Sequence, residues 1–468
     1  MEIRQIGVFF VCWLMSMLTG MAQNWAGRLG QFLDKSSLLE TSEVGVMVYD
    51  LTSDSLVFAH QADKLYRPAS TEKIITSVTA LATLGTDYPF VTQVAYTGEV
   101  KDSILKGDVY VIGTFDPVFM EKDLERFSDT LAEKGIRRIE GKLIGDVSLM
   151  DSVYWGPGWS WDDTPYSFQP YLSPLMLNRG CVEVTVEPAA KGLQGTVEVS
   201  PLSDYYQVEN RSVSRTPSAG KLVITRDWLE QGNRIQVSGC ISAKRTKTLN
   251  LYNSKAFFLK TFRYQLSQRG IQVDSLDYGD CPAEARELVC CIHPLTDVLK
   301  VTLKKSDNLA AEALFYHVGK HCTRKERSLS NADGQTGILK YMKELTGMNP
   351  DQFSIADGSG VSLYNYVSPH LLLSYLNYAY RHPAVFQPFY DCLPIAGIDG
   401  TLANRMKKGK AYRNVRAKTG TVTGVSSLAG YVKAINGHWL SFVIINQNVL
   451  KGRQARLFQD ELCEILAN

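Results

Sequence analysis

No block of like charge interrupts this chain. Its 50 lysines and arginines are interspersed with 48 aspartates and glutamates, for a net charge of +2. A nucleic-acid surface needs a basic patch or stripe, so no nucleic-acid partner is expected. Beyond the first twenty residues no stretch is apolar enough to cross a bilayer, which takes about 20 residues in a helix. Cysteine is sparse, nine in 468 residues. That is too few for a disulfide scaffold in a chain of this size, although the eight beyond Cys12 are an even number and permit pairing. C-x-x-C and H-E-x-x-H are both missing, so no zinc site is signalled and no metal or other cofactor is expected. Internal repeats and low-complexity segments are missing too, which sets aside solenoid and linker architectures.

What is present describes a globular protein. Apolar residues make up 45% and charged residues 21%, and the length calls for two or three domains. The N-terminus carries Arg4, the apolar run Ile6 to Leu18, and small residues at Thr19-Gly20-Met21-Ala22. That run is short for a membrane span and has the layout of a secretory signal cleaved after residue 22, with an uncleaved anchor as the alternative. The expectation is an exported protein, in the periplasm or cell envelope, with no membrane span after signal removal.

The remainder divides by periodicity. Trp25 to Lys35 suits a short amphipathic helix, and Val44 to Asp50 with Ser55 to His60 a hairpin. Arg67-Pro68-Ala69-Ser70-Thr71-Glu72-Lys73 then turns into a helix: Pro68 suits the entry, Ser70 its N-terminus, Ile74, Val78 and Leu81 its period, and Gly85 its end. Between Gly85 and Cys291 short β-like runs dominate, among them Val91 to Tyr96, Gly141 to Leu149 and Arg234 to Val237. Helices return at Leu295 to Leu303, Leu309 to Lys320, Ile338 to Leu345 and Pro369 to Tyr380. Leu428 to Ile435, Asn436-Gly437 and His438 to Gln447 predict a hairpin with a type I′ turn, and Gly452 to Leu466 a last helix. Both chain ends therefore supply one α/β domain, 23–84 with 292–468, split by a mostly β insert at 85–291 of one or two subdomains.

Three short patterns carry chemistry. Ser70 and Lys73 are three apart on one helical face, which pairs a hydroxyl nucleophile with an amine at a helix N-terminus. Lys304-Lys305-Ser306-Asp307-Asn308 opens another helix. There Ser306 can pass protons, and the Asn308 amide can both donate and accept. Arg416-Ala417-Lys418-Thr419-Gly420-Thr421 precedes the hairpin strand. Lys418 would supply positive charge, Thr419 a hydroxyl for a carboxylate, and Gly420 room for close backbone approach. Each pattern alone suits a helix cap or an ordinary strand. Together, in the order S-x-x-K, S-D-N, K-T-G, they are the set of β-lactamases and penicillin-binding proteins. Among rival residues, Ser359 in Asp-Gly-Ser-Gly lacks the G-x-S-x-G spacing and a base, and reads as a glycine-rich turn. His317 reads as a packing or surface residue, and Glu72 points away from the Ser70–Lys73 face.

The chain resembles the penicillin-binding protein 4 type of D-alanyl-D-alanine carboxypeptidase/endopeptidase, the low-molecular-mass class with a large insert between its first two motifs. The likeness covers nearly the whole mature chain. Besides the three motifs it rests on Gly156-Pro-Gly-Trp-Ser-Trp-Asp-Asp163, Asp357-Gly-Ser-Gly-Val-Ser362, Leu393-Pro-Ile-Ala-Gly-Ile-Asp-Gly-Thr-Leu402 and Leu428-Ala-Gly-Tyr431. It implies a serine β-lactamase/transpeptidase-like fold, helices on an antiparallel sheet, acting on peptidoglycan stem peptides and acylated by β-lactams. Ser70 would attack the penultimate D-alanine carbonyl, with Lys73 as base once desolvation and the Lys418 charge lower its pKa. Ser306 would pass the proton to the leaving amine, and Lys418 and Thr419 would hold the terminal carboxylate. The N–H groups of Ser70 and Thr421 would form the oxyanion hole. Asp146 matches a family position proposed to meet the free amino end of the peptide.

Two departures stand out: Gly113-Thr114-Phe115-Asp116-Pro117 replaces a Gly-Gly-Asp-Pro turn, and Leu363 stands where many relatives carry arginine. A β-lactamase-like hydrolase and a non-catalytic cell-wall binding protein are the alternative functions. The balance of carboxypeptidase and endopeptidase activity is not legible in the sequence.

Overall fold

The strand Glu43–Asp50 carries valine at 44, 46 and 48, and in a computed structural model describing residues 25–468 it sits inside a sheet covered on both faces. The expected signal peptide, 1–22 with Cys12, lies outside the described residues. Five antiparallel strands form this sheet in the order Arg416–Val422, Val425–Lys433, Trp439–Gln447, Glu43–Asp50, Ser55–His60. Side chains alternate across a sheet. Val44, Val46 and Val48 join Leu440, Phe442 and Ile444 in a core closed by Phe458, Leu462 and Leu466 of the terminal helix Gly452–Ala467. The opposite face meets the helix Pro369–Arg381: Tyr431 donates to the Leu376 carbonyl at 2.8 Å and Ser441 to Asn377 Oδ1 at 2.6 Å. Gly45 is required on that face, since a Cβ there would lie 2.6 Å from Pro369.

The expected hairpin forms, with a different turn. A type I′ turn needs positive φ at both central residues, yet only Gly437 has it, at 90°. Ala434 N donates to His438 O at 2.8 Å, which closes a three-residue loop with glycine in the left-handed position.

The described chain forms two compact units. One comprises the described residues up to Thr83, with Leu299–Ser306 and Ile338–Asn468; the other comprises Leu84–Val298 and Asp307–Gly337. The second unit holds a seven-stranded mixed sheet and two three-stranded sheets. It also contains helices Glu121–Glu133 and Ser254–Gln268, in a stretch expected to be mostly β. Their inward stripes, Leu124, Phe127 and Leu131 on one and Phe258, Phe262 and Leu266 on the other, are fully buried in that unit's core. Helical spacing was present at 124, 127 and 131 but was masked by the charged residues between them.

In this unit Phe115 occupies the left-handed region at φ 62°, where a bulky residue is an outlier. Its N–H donates to Pro174 O at 2.9 Å and its ring packs edge-on against Tyr316. Burial thus holds the altered turn. The eight described cysteines are all free thiols, so the pairing that their even number permits is not made among them. Among the described residues no helix is long and apolar enough to cross a membrane.

Candidate active site

Ala69 takes φ 48° and starts a one-turn 3-10 segment, Ala69–Glu72, that runs into the α-helix Lys73–Leu84. Gly85 ends that helix at φ 82°. Ser70 does not cap the helix; its hydroxyl faces Lys73, whose Nζ lies 2.9 Å from Ser70 Oγ. Lys73 is fully buried and also donates to the Ser359 carbonyl at 2.7 Å. The carbonyl is thus a second acceptor that helps fix the amine beside the hydroxyl.

Ser306 lies just beyond the helix Leu295–Lys304, in a left-handed conformation at φ 58°. A non-glycine residue held there costs about 1–3 kcal/mol and clusters at functional sites. Lys418, from the edge strand Arg416–Val422, donates to Ser306 Oγ at 2.7 Å and to the Thr419 carbonyl at 2.7 Å. Burial pushes the Lys418 ammonium well below its ordinary pKa, and the neighbouring Lys73 charge pushes the same way. Each hydroxyl is thereby paired with a buried lysine, Ser70 with Lys73 and Ser306 with Lys418, which sets an amine within proton-transfer reach of each.

Gly420 pairs with Ser427 across the sheet. A Cβ at Gly420 would collide with Ser427 Oγ and approach Pro68 O at 2.8 Å and Ser70 N at 2.9 Å. Ser427 Oγ donates to Pro68 O at 2.7 Å, and Thr71 Oγ1 donates to the same carbonyl at 2.7 Å. The absent side chain lets the edge strand close on the turn bearing Ser70. Thr419 is half-buried and hydrogen-bonded to Thr401 at 2.8 Å, while Thr421 is exposed.

Asn308 and Asp146 belong to the other unit. Asn308 opens the helix Asn308–Thr323 and donates to Phe168 O at 2.6 Å. Asp307 caps that helix through Ala310 N and pairs with Arg179 at 2.8 Å. Asp146 is buried; one carboxylate oxygen accepts from Ser148 N at 3.0 Å and the other from Cys281 N at 2.8 Å.

Two contributors were missed as site residues: the Ser359 carbonyl and Asp357, which organises its loop. Fully buried, Asp357 accepts from Gly360 N and Ser362 N at 2.8 Å, from Ser359 Oγ at 3.1 Å and from Asn365 Nδ2 at 2.7 Å. The Asp-Gly-Ser-Gly pattern was the available signal. His317 is a buried packing residue, held by Tyr88 Oη at 2.9 Å and the Thr114 carbonyl at 2.7 Å.

A hydroxyl and a buried amine heading a helix, beside a second buried lysine on the edge of an antiparallel sheet, define a serine-type penicillin-binding enzyme of the β-lactamase/transpeptidase-like class. The sequence model of the D-Ala-D-Ala carboxypeptidase 3 (S13) family matches residues 26–468, and the chain belongs to that family of hydrolases. It is 30% identical over 457 residues to the D-alanyl-D-alanine carboxypeptidase of Actinomadura sp. (strain R39), covering 92% of this chain and 82% of that protein. The crystal structure of penicillin binding protein 4 (dacB) from Haemophilus influenzae superposes with a TM-score of 0.79 at 25% identity, over 92% of this chain and 97% of that one. A complex of that protein with a β-lactam superposes with a TM-score of 0.72, also at 25% identity, over 91% and 95%.

Proposed function

We propose that this enzyme is an exported D-Ala-D-Ala carboxypeptidase, with endopeptidase activity on the same machinery, that trims peptidoglycan stem peptides in the cell envelope. Residues 23–84 and 292–468 would form the catalytic domain and 85–291 its insert, after removal of 1–22. Ser70 Oγ attacks the carbonyl carbon of the penultimate D-alanine, and its proton passes to Lys73 Nζ. The tetrahedral oxyanion is held by the N–H groups of Ser70 and Thr421, where one donor is often worth ~3 kcal/mol. Ser306 then passes the proton that Lys73 took from Ser70 to the departing D-alanine nitrogen as the C–N bond breaks. Water then hydrolyses the ester and returns Ser70 to its hydroxyl form.

In this scheme Lys418 and Thr419 bind the substrate's terminal carboxylate, Gly420 admits its backbone to the strand edge, and Asn308 holds the substrate amide. Asp146 keeps a role toward the peptide's free amino end, because a carboxylate that accepts one N–H on each oxygen retains lone pairs for an ammonium. The observation that carries the reading is the 2.9 Å approach of buried Lys73 to Ser70 Oγ, with Ser359 O as a second acceptor for the amine.

The test is mass spectrometry of protein treated with a penicillin. An adduct on Ser70 that persists for many turnover times supports the proposal. An adduct elsewhere overturns the site, and rapid release of hydrolysed drug transfers the protein to the β-lactamase-like alternative.

A further inference from the structure

Away from these motifs, the second unit gathers a thiol, an imidazole and two carboxylates in one place. Cys291 and His293 are two apart on the strand Arg286–Pro294 and so share a face. The helix Glu121–Glu133 packs on that strand, tied by Arg126 to the Cys290 carbonyl at 2.9 Å, and brings Asp123 from its first turn. The donor atoms of Asp123, Cys291 and His293 all lie within 4.8 Å of one another. Behind them the fully buried Asp116 carboxylate meets His293 Nδ1 at 2.7 Å and accepts Val118 N at 3.0 Å.

A carboxylate can only accept, so Nδ1 is the donor, and Nε2 offers a lone pair once an ion has displaced its proton. Both ring nitrogens lie 3.9 Å from Cys291 Sγ. Carboxylate, then histidine, then open nitrogen is the order in which proteins orient imidazole ligands toward a metal. Tetrahedral zinc, with bonds of about 2.0–2.3 Å to N, O and S, separates its ligand atoms by roughly 3.5 Å. Gathering the three donors onto one ion therefore takes a turn of the Cys291 side chain toward the Nε2 edge of the ring as well as an inward movement. A nucleophilic Cys-His-Asp triad fits less well, because Cys291 is only 4% exposed. The Asp123 carboxylate would also repel a thiolate unless a cation stood between them.

We propose that Asp123 Oδ, Cys291 Sγ and His293 Nε2 form a three-ligand site for a zinc-type divalent cation, with Asp116 orienting the histidine and water taking the fourth position. His293, 17% exposed, marks the solvent side. The Cys291 thiol proton and the His293 Nε2 proton leave to solvent on binding. The ion would pin the helix to the edge strand of the seven-stranded sheet, a structural clamp independent of the Ser70 chemistry. No sequence spacing signals it, because its ligands come from a helix and a distant strand.

The test titrates Co2+ into the purified, chelator-treated full chain and follows thiolate-to-cobalt charge transfer in the near ultraviolet, with Zn2+ as competitor. One equivalent should bind with that absorption and be displaced by zinc. Cys291→Ser should abolish the band, Cys290→Ser should leave it, and Asp123→Asn and Asp116→Asn should each weaken binding about 10–100-fold. Penicillin labelling reports that each variant is folded. A wild-type protein without the band at one equivalent overturns the proposal, whatever the variants do, and so does a band that survives Cys291→Ser.

Discussion

Ser70 Oγ depends on its distance from one amine and on a backbone kept clear by one hydrogen atom. Ser70→Ala should eliminate covalent labelling by penicillin and D-alanine release from a muropeptide, while leaving the melting temperature within a few degrees. Mass spectrometry and a D-alanine assay read the two outcomes. Gly420 supplies the second condition. Adding a methyl there forces Ser427, Pro68 or Ser70 to move, and displacement of about 1 Å at a reacting centre can cost 10²-fold in rate. Gly420→Ala should therefore lower kcat/KM by about that factor, with a far smaller effect on stability. Acylation that stays within a few-fold of wild type would contradict this account of the close approach.

At the scale of elements, the loop Asp357–Ser362 and the terminal helix show how packing reaches the site. Asp357 gathers two backbone N–H groups and two side chains, and the same loop presents Ser359 O to Lys73. Asp357→Asn replaces an acceptor by a donor inside a buried network. The expected cost is about 1–3 kcal/mol, with slower penicillin acylation because the amine loses its fixed partner. Denaturant unfolding and stopped-flow acylation measure the two separately. In the terminal helix, Leu462 is fully buried against the five-stranded sheet. Leu462→Ala should destabilise by about 2–5 kcal/mol with unchanged kcat in the folded fraction.

For the molecule as a whole, the pH dependence of stability has an identifiable contributor. Burial pushes His317 down from 6.5 to about 4, against the Thr114 carbonyl, which raises it. Between those values the unfolded chain binds a proton that the folded one refuses, so stability falls as pH drops through this window. At 1.36 kcal/mol per pKa unit the contribution reaches roughly 3 kcal/mol. His317→Asn should flatten the stability profile between about pH 6.5 and 4 by up to one proton, as measured by denaturant titrations at stepped pH. A slope equal to wild type would assign the acid sensitivity elsewhere.

Ser70, Lys73, Ser306 and Lys418 were legible because each sits in a short pattern at a helix or strand boundary, where local backbone preference and side-chain chemistry coincide. Four of the five sheet strands and the helix ending at Gly85 were legible through periodicity for the same reason, and the strand Arg416–Val422 through its K-T-G pattern. Tertiary structure alone decided what depends on segments distant in the chain. It put Ser306 in a left-handed conformation, made the Ser359 carbonyl the acceptor for Lys73, gave the 434–438 loop its three-residue closure, and brought Asp123 to Cys291 and His293. Local sequence constrains φ, ψ and hydrophobic period over a few residues. Which carbonyl, carboxylate or thiol meets a given side chain is settled only when buried polar groups must find partners across the packed core.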